Sequence, residues 1–236
     1  YYIVHSELQA WERKKNPAIT PLTILCPPRV NHVNLDGARL EWKIINAADY
    51  SMPQRRRRVF FMAVRDDIMD KVGLNFMTLS SLFPEPNKTI TTLQGAFDGL
   101  EYDKDEVDML TTKWKETAYY KQTCVLMPRN PDKVITGTDY HPKGWHFNLK
   151  IASEFHPSPT ITAMGATEKT AGVCHWNDDR KFTLGELKRV TSLPDDFVLT
   201  GKWAQRSERC GRMVPSLLMN DLGVSMYYKV LNIGRF

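Results

Sequence analysis

Four consecutive arginines, Arg55-Arg56-Arg57-Arg58, run directly into the apolar stretch Val59-Phe60-Phe61-Met62-Ala63-Val64, and this junction constrains the fold more than any other segment. A guanidinium is charged at any physiological pH and costly to bury without partners. An apolar run of this length, rich in β-branched and aromatic side chains, reads as a buried strand of an α/β sheet. Charge therefore abuts core within one extended segment. Alternate side chains of a strand point the same way, so Gln54, Arg56 and Arg58 share one direction and Arg55 and Arg57 the other. The five N–H donors of each arginine suit a phosphate or the edge of a base. From the residues alone, a grip on nucleic acid and a solvated basic face both stand.

The chain has 236 residues, more than one average domain and few for two large ones, so two units are expected, one of them incomplete. With 42% hydrophobic and 25% charged residues, disorder, collagen and coiled coil are excluded. No apolar stretch approaches the roughly 20 residues that cross a bilayer, and no basic-then-apolar leader opens the chain. A non-membrane, cytoplasmic protein of a prokaryotic or phage-like host is expected. Cys26, Cys124, Cys174 and Cys210 lie far apart, with no C-x-x-C pair, which fits reduced thiols. A net charge of +5 is compatible with a polyanionic partner. The chain begins with Tyr1 instead of Met, as a piece of a longer polypeptide would.

Along the chain, residues 1–15 read as the tail of a helix and 16–37, with Pro17, Pro21, Pro27 and Pro28, as an irregular connection. Leu40, Trp42 and Ile44 alternate with Glu41, Lys43 and Ile45, as in a strand with one better-buried face. Residues 66–177 suggest a loop-rich unit with a helix at 105–118 and β-like pieces at 123–127 and 159–163. Thr183 and Glu186 match a capping box, Leu184, Leu187, Val190 and Leu193 line the helix it opens, and Pro194-Asp195-Asp196 stops it. Pro215 suits a first helical turn, and Val214, Leu218, Leu222, Met226 and Val230 recur every four residues along a closing helix.

Three ordered blocks carry a resemblance. Asn46-Ala47-Ala48-Asp49-Tyr50-Ser51-Met52-Pro53-Gln54-Arg55-Arg56-Arg57-Arg58-Val59-Phe60 resembles the "NAADYGVPQxRxRVF" block of DNA cytosine-5 methyltransferases. Arg180-Lys181-Phe182-Thr183, Glu186, Arg189 and Pro194-Asp195-Asp196-Phe197 resemble "RxLTxxExxRLxxFPDDF", and Cys210-Gly211-Arg212-Met213-Val214-Pro215 resembles the closing "GNxVPP". The resemblance spans 46–236, with 1–45 fitting only loosely. It implies the C-terminal part of such an enzyme: a partial, Rossmann-like S-adenosylmethionine-dependent α/β domain plus a smaller, loop-rich mixed α/β target-recognition domain. The boundaries so implied are 1–66 for the catalytic part, 67–208 for target recognition with its hinge (variable portion about 67–178), and 209–236 for the returning helix.

In that family a cysteine thiolate adds to C6 of a cytosine flipped out of duplex DNA, a glutamate assists at N3, and S-adenosylmethionine supplies the methyl group. The resemblance puts Arg58 at the cytosine O2, where a fixed cation favours the charge developing on the ring. It makes Arg56 and Gln54 supports of the site and of nearby phosphate, leaving Arg55 and Arg57 exposed or phosphate-facing. Pro159-Thr160-Ile161-Thr162-Ala163-Met164-Gly165 resembles the "TITAxG" signature, placing Thr160 at the DNA backbone; an edge strand whose threonines suit β geometry is the alternative. Arg180 is a further DNA-contact candidate, and Arg212 and Met213 are candidates for backbone contacts to the cofactor.

The family's glycine-rich cofactor turn, Pro-Cys nucleophile and Glu-Asn-Val blocks do not occur in this sequence. Leu25-Cys26-Pro27-Pro28 has its proline on the wrong side of the cysteine, so Cys26 reads as a loop thiol. The chain alone is therefore expected to be inactive and to need the missing N-terminal region or a complementary catalytic subunit. Arg209 and Arg212 replace the usual Gln and Asn of the last block, and Val190-Thr191-Ser192-Leu193-Pro194 loses a glycine. His141, His146, His156 and His175 lack ligand-like spacing and read as surface or DNA-facing side chains, not metal ligands. Two other classes remain: a non-catalytic DNA-binding or specificity subunit, and a general phosphate-backbone binder that flips no base.

Overall fold

A computed structural model of the protein describes residues 32–231 other than 36, 37, 76 and 88. The helix expected at 1–15, most of the connection expected over 16–37, and Cys26 lie outside the described residues. The strands are β1 (His32–Leu35), β2 (Ala38–Asn46), β3 (Arg57–Arg65), β4 (Ile135–Thr136), β5 (Lys150–Ile151) and β6 (Val173–Cys174). The α-helices are α1 (Asp66–Val72), α2 (Leu93–Phe97), α3 (Lys104–Lys115), α4 (Ala118–Gln122), α5 (Leu184–Val190), α6 (Trp203–Arg212) and α7 (Ser216–Met226). Helices and two small sheets make a mixed α/β chain, in which no described helix is long and apolar enough to cross a membrane.

The chain divides into two compact units. The first takes residues up to Ile45, Arg58–Pro84 and residues from Leu222 on; the second takes Asn46–Arg57 and Glu85–Asp221. The divisions thus fall at Pro84 and Asp221 instead of after 66 and 208, and the arginine block is split before Arg58.

The first unit holds a sheet in the order β1-β2-β3. β1 pairs antiparallel with β2, with Leu35 opposite Ala38, so the connection expected over 16–37 ends in a strand. The intervening Asp-Gly dipeptide is the composition two-residue hairpins favour, and this signal was there to be read. On β3, Phe60, Met62 and Val64 are buried while Val59 is 48% exposed, so this strand is covered on one face, not two. β2 corrects its own expectation as well. Ile45 is buried and Ile44 exposed, because the better-covered face changes toward the Ala47–Tyr50 turn that follows. Along the closing helix Leu222, Ser225 and Val230 are buried, and Ser225 Oγ donates to the Leu82 carbonyl at 2.6 Å. Met226 is half-buried, and a π-helical turn follows it at Tyr227–Leu231.

The second unit is built on an aromatic and aliphatic core. Phe97 stacks on Trp176 at 5.5 Å and meets Phe182 edge-on at 5.6 Å, while Trp114, Leu149 and Ile151 are fully buried. Each such side chain removed from water contributes about 1.5–3 kcal/mol before entropy is counted. The order β4-β5-β6 pairs β5 antiparallel with β4 and parallel with β6. The helix expected at 105–118 is α3, capped by the Asp103 carboxylate accepting from Asp105 N at 2.9 Å. It stops at Lys115 because Thr117 caps a new helix, accepting from Tyr120 N at 3.1 Å. Residues 124–126 form a 3₁₀ turn where a β-like piece was expected.

The capping box forms: Thr183 Oγ1 accepts from Glu186 N at 3.2 Å and the Glu186 carboxylate from Thr183 N at 2.7 Å. Leu184, Leu187, Val190 and Leu193 are all buried. The helix ends at Val190, before Pro194, with Ser192 in the left-handed region at φ 55°.

Candidate nucleic-acid interface

The arginine block, the Thr160 segment and the closing Gly211 block meet at one side chain of the second unit. Pro53–Arg56 runs extended beside residues 158–161 as a single parallel bridge, Gln54 to Ser158. Arg55 N donates to Ser158 O at 2.7 Å and Ser158 N to Pro53 O at 2.9 Å. Thr160 Oγ1 continues the seam, donating to Arg55 O at 2.7 Å. The Arg56 guanidinium then donates to Ile161 O at 2.7 Å, Gly211 O at 3.1 Å and Arg212 O at 3.4 Å. Residues 105 and 155 positions apart are thus fastened by one fork.

Gly211 makes that approach possible. A Cβ there would stand 2.5 Å from the Thr162 carbonyl oxygen, so α6 comes down on the 162–163 backbone only because the residue is glycine.

The alternation expected from the sequence is present. Gln54 and Arg56 are buried, at 0% and 3% exposure, whereas Arg55 and Arg57 are exposed. Burial corrects two expectations. Arg56 and Gln54 are sequestered within the protein and do not present a side chain to phosphate. Gln54 is fully buried, with neither end of its amide hydrogen-bonded among the described residues, an arrangement that costs free energy. Arg58, the first residue of the sheet-bearing unit's central segment, is half-buried, and burial lowers its pKa from the ordinary guanidinium value.

Arg180 is corrected too. It is 2% exposed and gives two hydrogen bonds to the Glu186 carboxylate, at 2.7 and 2.9 Å, and one to Asp178 at 2.9 Å. Its fork is spent inside the unit because a buried guanidinium needs a carboxylate more than a solvent-facing partner. His175, expected at the surface, is buried beside this pair: Nδ1 accepts from Asn177 N at 3.2 Å and Asp178 N at 3.1 Å. Burial, reinforced by the Arg180 charge, pushes its pKa down to about 3, so the imidazole is neutral.

Arg212 is brought to the Arg56 fork, with Met213 next to it, and several of their polar groups are engaged within the protein. The Arg212 carbonyl accepts from Arg56, its side chain pairs with Glu208, and Met213 N donates to Arg209 O at 3.1 Å. Those three groups are turned to the protein itself. A cleft of about 610 Å³ in the same unit is lined by Leu100, Glu106, Lys188, Phe197 and Arg206 among others, and by none of the expected site residues.

A buried cation that the sequence reading missed lies between the cysteines. Lys181 is 1% exposed, with Nζ 3.4 Å from Thr170 O and 5.3 Å from the centre of the Trp114 ring. Cys124 accepts from the Arg129 guanidinium at 3.7 and 3.8 Å. The hydrogen bond from Cys174, with Arg129 beside it, pulls the Cys124 thiol down to about 6, and burial pushes Cys174 up. No sequence spacing joins Cys124 to Cys174; only the fold does.

Comparison with known proteins follows the same blocks. The family profile of C-5 cytosine-specific DNA methylases matches residues 30–227. The type II methyltransferase M.Eco47II of Escherichia coli is 25% identical over 207 residues, covering 83% of this chain and 47% of its own length. M.SacI of Streptomyces achromogenes is 28% identical over 204 residues, covering 76% and 49%. Thus the chain spans about half the length of the curated relatives it matches. Among solved structures, a prophage-encoded E. coli protein described as a DNA modification methyltransferase superposes with a TM-score of 0.53 at 14% identity, over 86% of this chain and 62% of that one. That likeness concerns the fold. With the profile running through the arginine block, the Thr160 segment and the Gly211 helix, the chain belongs to the C-5 cytosine-specific DNA methylase family.

Proposed function

We propose that this chain is the C-terminal portion of a DNA (cytosine-5-)-methyltransferase, contributing DNA recognition and the positioning of a flipped cytosine that receives its methyl group from S-adenosylmethionine. The observation that carries the reading is the Arg56 fork, because it ties the arginine block to the Thr160 segment and to the closing block of the family resemblance. Arg55 and Arg57 are exposed beside it and Thr160 is tied to the Arg55 carbonyl, so cations and a hydroxyl line the same stretch. In this reading the second unit is the target-recognition part and the sheet of the first unit belongs to the catalytic domain.

The roles follow from chemistry. Arg58 points opposite to Arg57 and serves at the cytosine O2, where a guanidinium stabilises charge that builds on the ring as C6 is attacked. Arg56 is a positioning residue acting through the loops it clamps. Arg55 and Arg57 meet phosphate, and Thr160 holds the edge that faces the DNA backbone. The nucleophile and most of the cofactor pocket belong to a region that the relatives carry in addition to the matched half. The methyl donor supplies the electrophilic methyl group when bound.

Tritiated-methyl transfer to duplex DNA tests the reading. The chain alone is expected to give none, and the chain joined to the N-terminal half that its relatives carry is expected to give it. Arg58→Ala in the joined protein is expected to slow the single-turnover rate about 10²–10³-fold, as removal of a transition-state donor does, with little loss of DNA binding. Arg57→Ala is expected to act mildly and on binding. DNA binding without methyl transfer in the joined protein would favour a specificity subunit instead, and binding that ignores salt would overturn the phosphate contacts.

A further inference from the structure

The second unit displays aromatic side chains at a site that no sequence block covers. Between β4 and β5 the chain forms a loop from Gly137 to Leu149, and its base is tightly packed: Leu149 is fully buried, and a Cβ on Gly137 would meet the His146 carbonyl oxygen at 2.8 Å. The His141 imidazole organises the tip. Its Nδ1 accepts from Lys143 N at 3.1 Å and Trp145 N at 3.4 Å, and Gly144 N donates to the His141 carbonyl at 2.8 Å.

Gly144 and His146 both take left-handed φ values, 64° and 63°. For His146 this conformation carries a steric cost, offset by a 2.6 Å contact of its Nδ1 with Thr123 Oγ1 and an edge-on meeting with Tyr119 at 4.9 Å. The loop is therefore held in shape by its own contacts.

What it holds out is a stack. The Trp145 indole lies over the His141 ring at 5.3 Å and 12° between planes, and the Lys143 ammonium stands 5.1 Å from the indole centre. Trp145 is 56% exposed and Phe147 69% exposed. A hydrophobic residue left in water on a strained, well-anchored loop has lost burial energy and gained a fixed presentation. Flat aromatic rings beside a cation match the faces of nucleobases and the phosphate next to them, since every base offers a π-face.

We propose that the loop from Tyr140 to Phe147 is a base-stacking finger, in which Trp145, backed by His141, and Phe147 pack against DNA bases while Lys143 meets the adjoining phosphate. The proposal rests on the DNA-recognition reading above and assigns to that reading its stacking contact. Lys133 and Lys150, which flank the loop, outnumber with Lys143 the carboxylates of Asp132 and Asp139 in the same stretch. An ammonium beside an exposed flat ring gives a polyanion with π-faces a partner for its phosphate and for its base at one place.

Fluorescence anisotropy of the 236-residue chain on labelled duplex DNA, and on the same duplex carrying one mismatched pair, tests the finger. Trp145→Ala is expected to weaken binding about 5- to 150-fold, the range for losing one base–aromatic stack, and to leave the salt dependence of affinity unchanged. Lys143→Ala is expected to lower the salt slope by about 1. Trp145→Phe, keeping a flat ring, is expected to recover most of the affinity, which a purely structural role of the indole would not produce. Preference for the mismatched duplex, where a base is easier to unstack, is expected in the wild type and lost in Trp145→Ala. If the wild type binds DNA and Trp145→Ala binds equally well with the same mismatch preference, the finger is overturned and DNA recognition stands. If the wild type binds neither duplex at any salt, both fail. Should Trp145→Ala lose its thermal transition, the Trp145→Phe and Lys143→Ala results decide alone.

Discussion

Two buried guanidiniums in the same unit are satisfied in opposite ways. Arg180 lies against the Glu186 carboxylate, which also accepts from Thr183 N, so charge meets charge and the neighbourhood is neutralised. Arg56 donates to carbonyl oxygens of Ile161, Gly211 and Arg212, so its fork ties together backbone from segments far apart in the chain. The first arrangement serves the core. The second fastens distant backbone beside the exposed Arg55 and Arg57, with the same residue type. Burial of an arginine therefore says little about its role until its acceptors are known.

The difference can be broken experimentally, and the largest effect is expected at the carboxylate. Glu186→Gln leaves the buried Arg180 with only the half-exposed Asp178 as counter-charge, and a loss of about 3–5 kcal/mol in urea unfolding is expected. Arg180→Met combined with Glu186→Leu is expected to recover part of it, because an apolar pair removes both charges; the Thr183 N–H still loses its acceptor. No recovery would mean that the pair does more than cancel itself.

Arg56 allows no such rescue, since its acceptors are backbone carbonyls that no second substitution removes. Arg56→Met is expected to cost about 2–4 kcal/mol from carbonyls left without donors, and Arg56→Lys somewhat less. A loss below about 1 kcal/mol in the same urea experiment would show that water replaces the fork and that the arginine block, the Thr160 segment and the Gly211 block are held together elsewhere.

Acid sharpens the comparison from the Arg180 side. His175 is neutral beside this pair, with its pKa down at about 3 because of burial and then the Arg180 charge. Below about 6.5 the unfolded chain takes up a proton that the folded protein refuses until about pH 3, so stability is full above 6.5 and falls as pH drops through that window. The slope contributed by this one group is roughly 1.4 kcal/mol per pH unit at most. His175→Gln is expected to flatten it in urea midpoints measured from pH 7 to 4; an unchanged slope would assign acid sensitivity to other groups.

The smallest effect is expected at the exposed end of the arginine seam. Thr160→Val removes one side-chain hydrogen bond to the Arg55 carbonyl at a partly solvated site, and about 0.5–1.5 kcal/mol is expected in thermal unfolding. A loss as large as that for Arg56 would make Thr160, not the fork, the main tie between the blocks.

Much of the local structure was legible in the residues. The Thr183–Glu186 capping box, the buried face of α5, the strand after the arginines and their alternation follow from rules that act within a few positions, and each is present. What misled was equally local in form: threonines at 159–163 suggested a strand, but the segment takes its partner from Gln54 by a single bridge. The end of the stretch expected as an irregular connection pairs as β1 with β2, across an Asp-Gly dipeptide of the composition that hairpins favour.

By itself the amino-acid sequence determined the family, because its three blocks lie in order along one chain, and it determined which arginines share a side, because a strand has a period of two. It did not determine which cations face outward. Arg58 is half-buried, Arg56 is clamped by carbonyls, Arg180 is paired inside and Lys181 is buried between Trp114 and two cysteines, although all four are ordinary basic residues in the sequence. Only tertiary structure settles that. The acceptors come from residues far away in the chain, and a charge stays buried only where distant groups arrive in the right geometry to hold it.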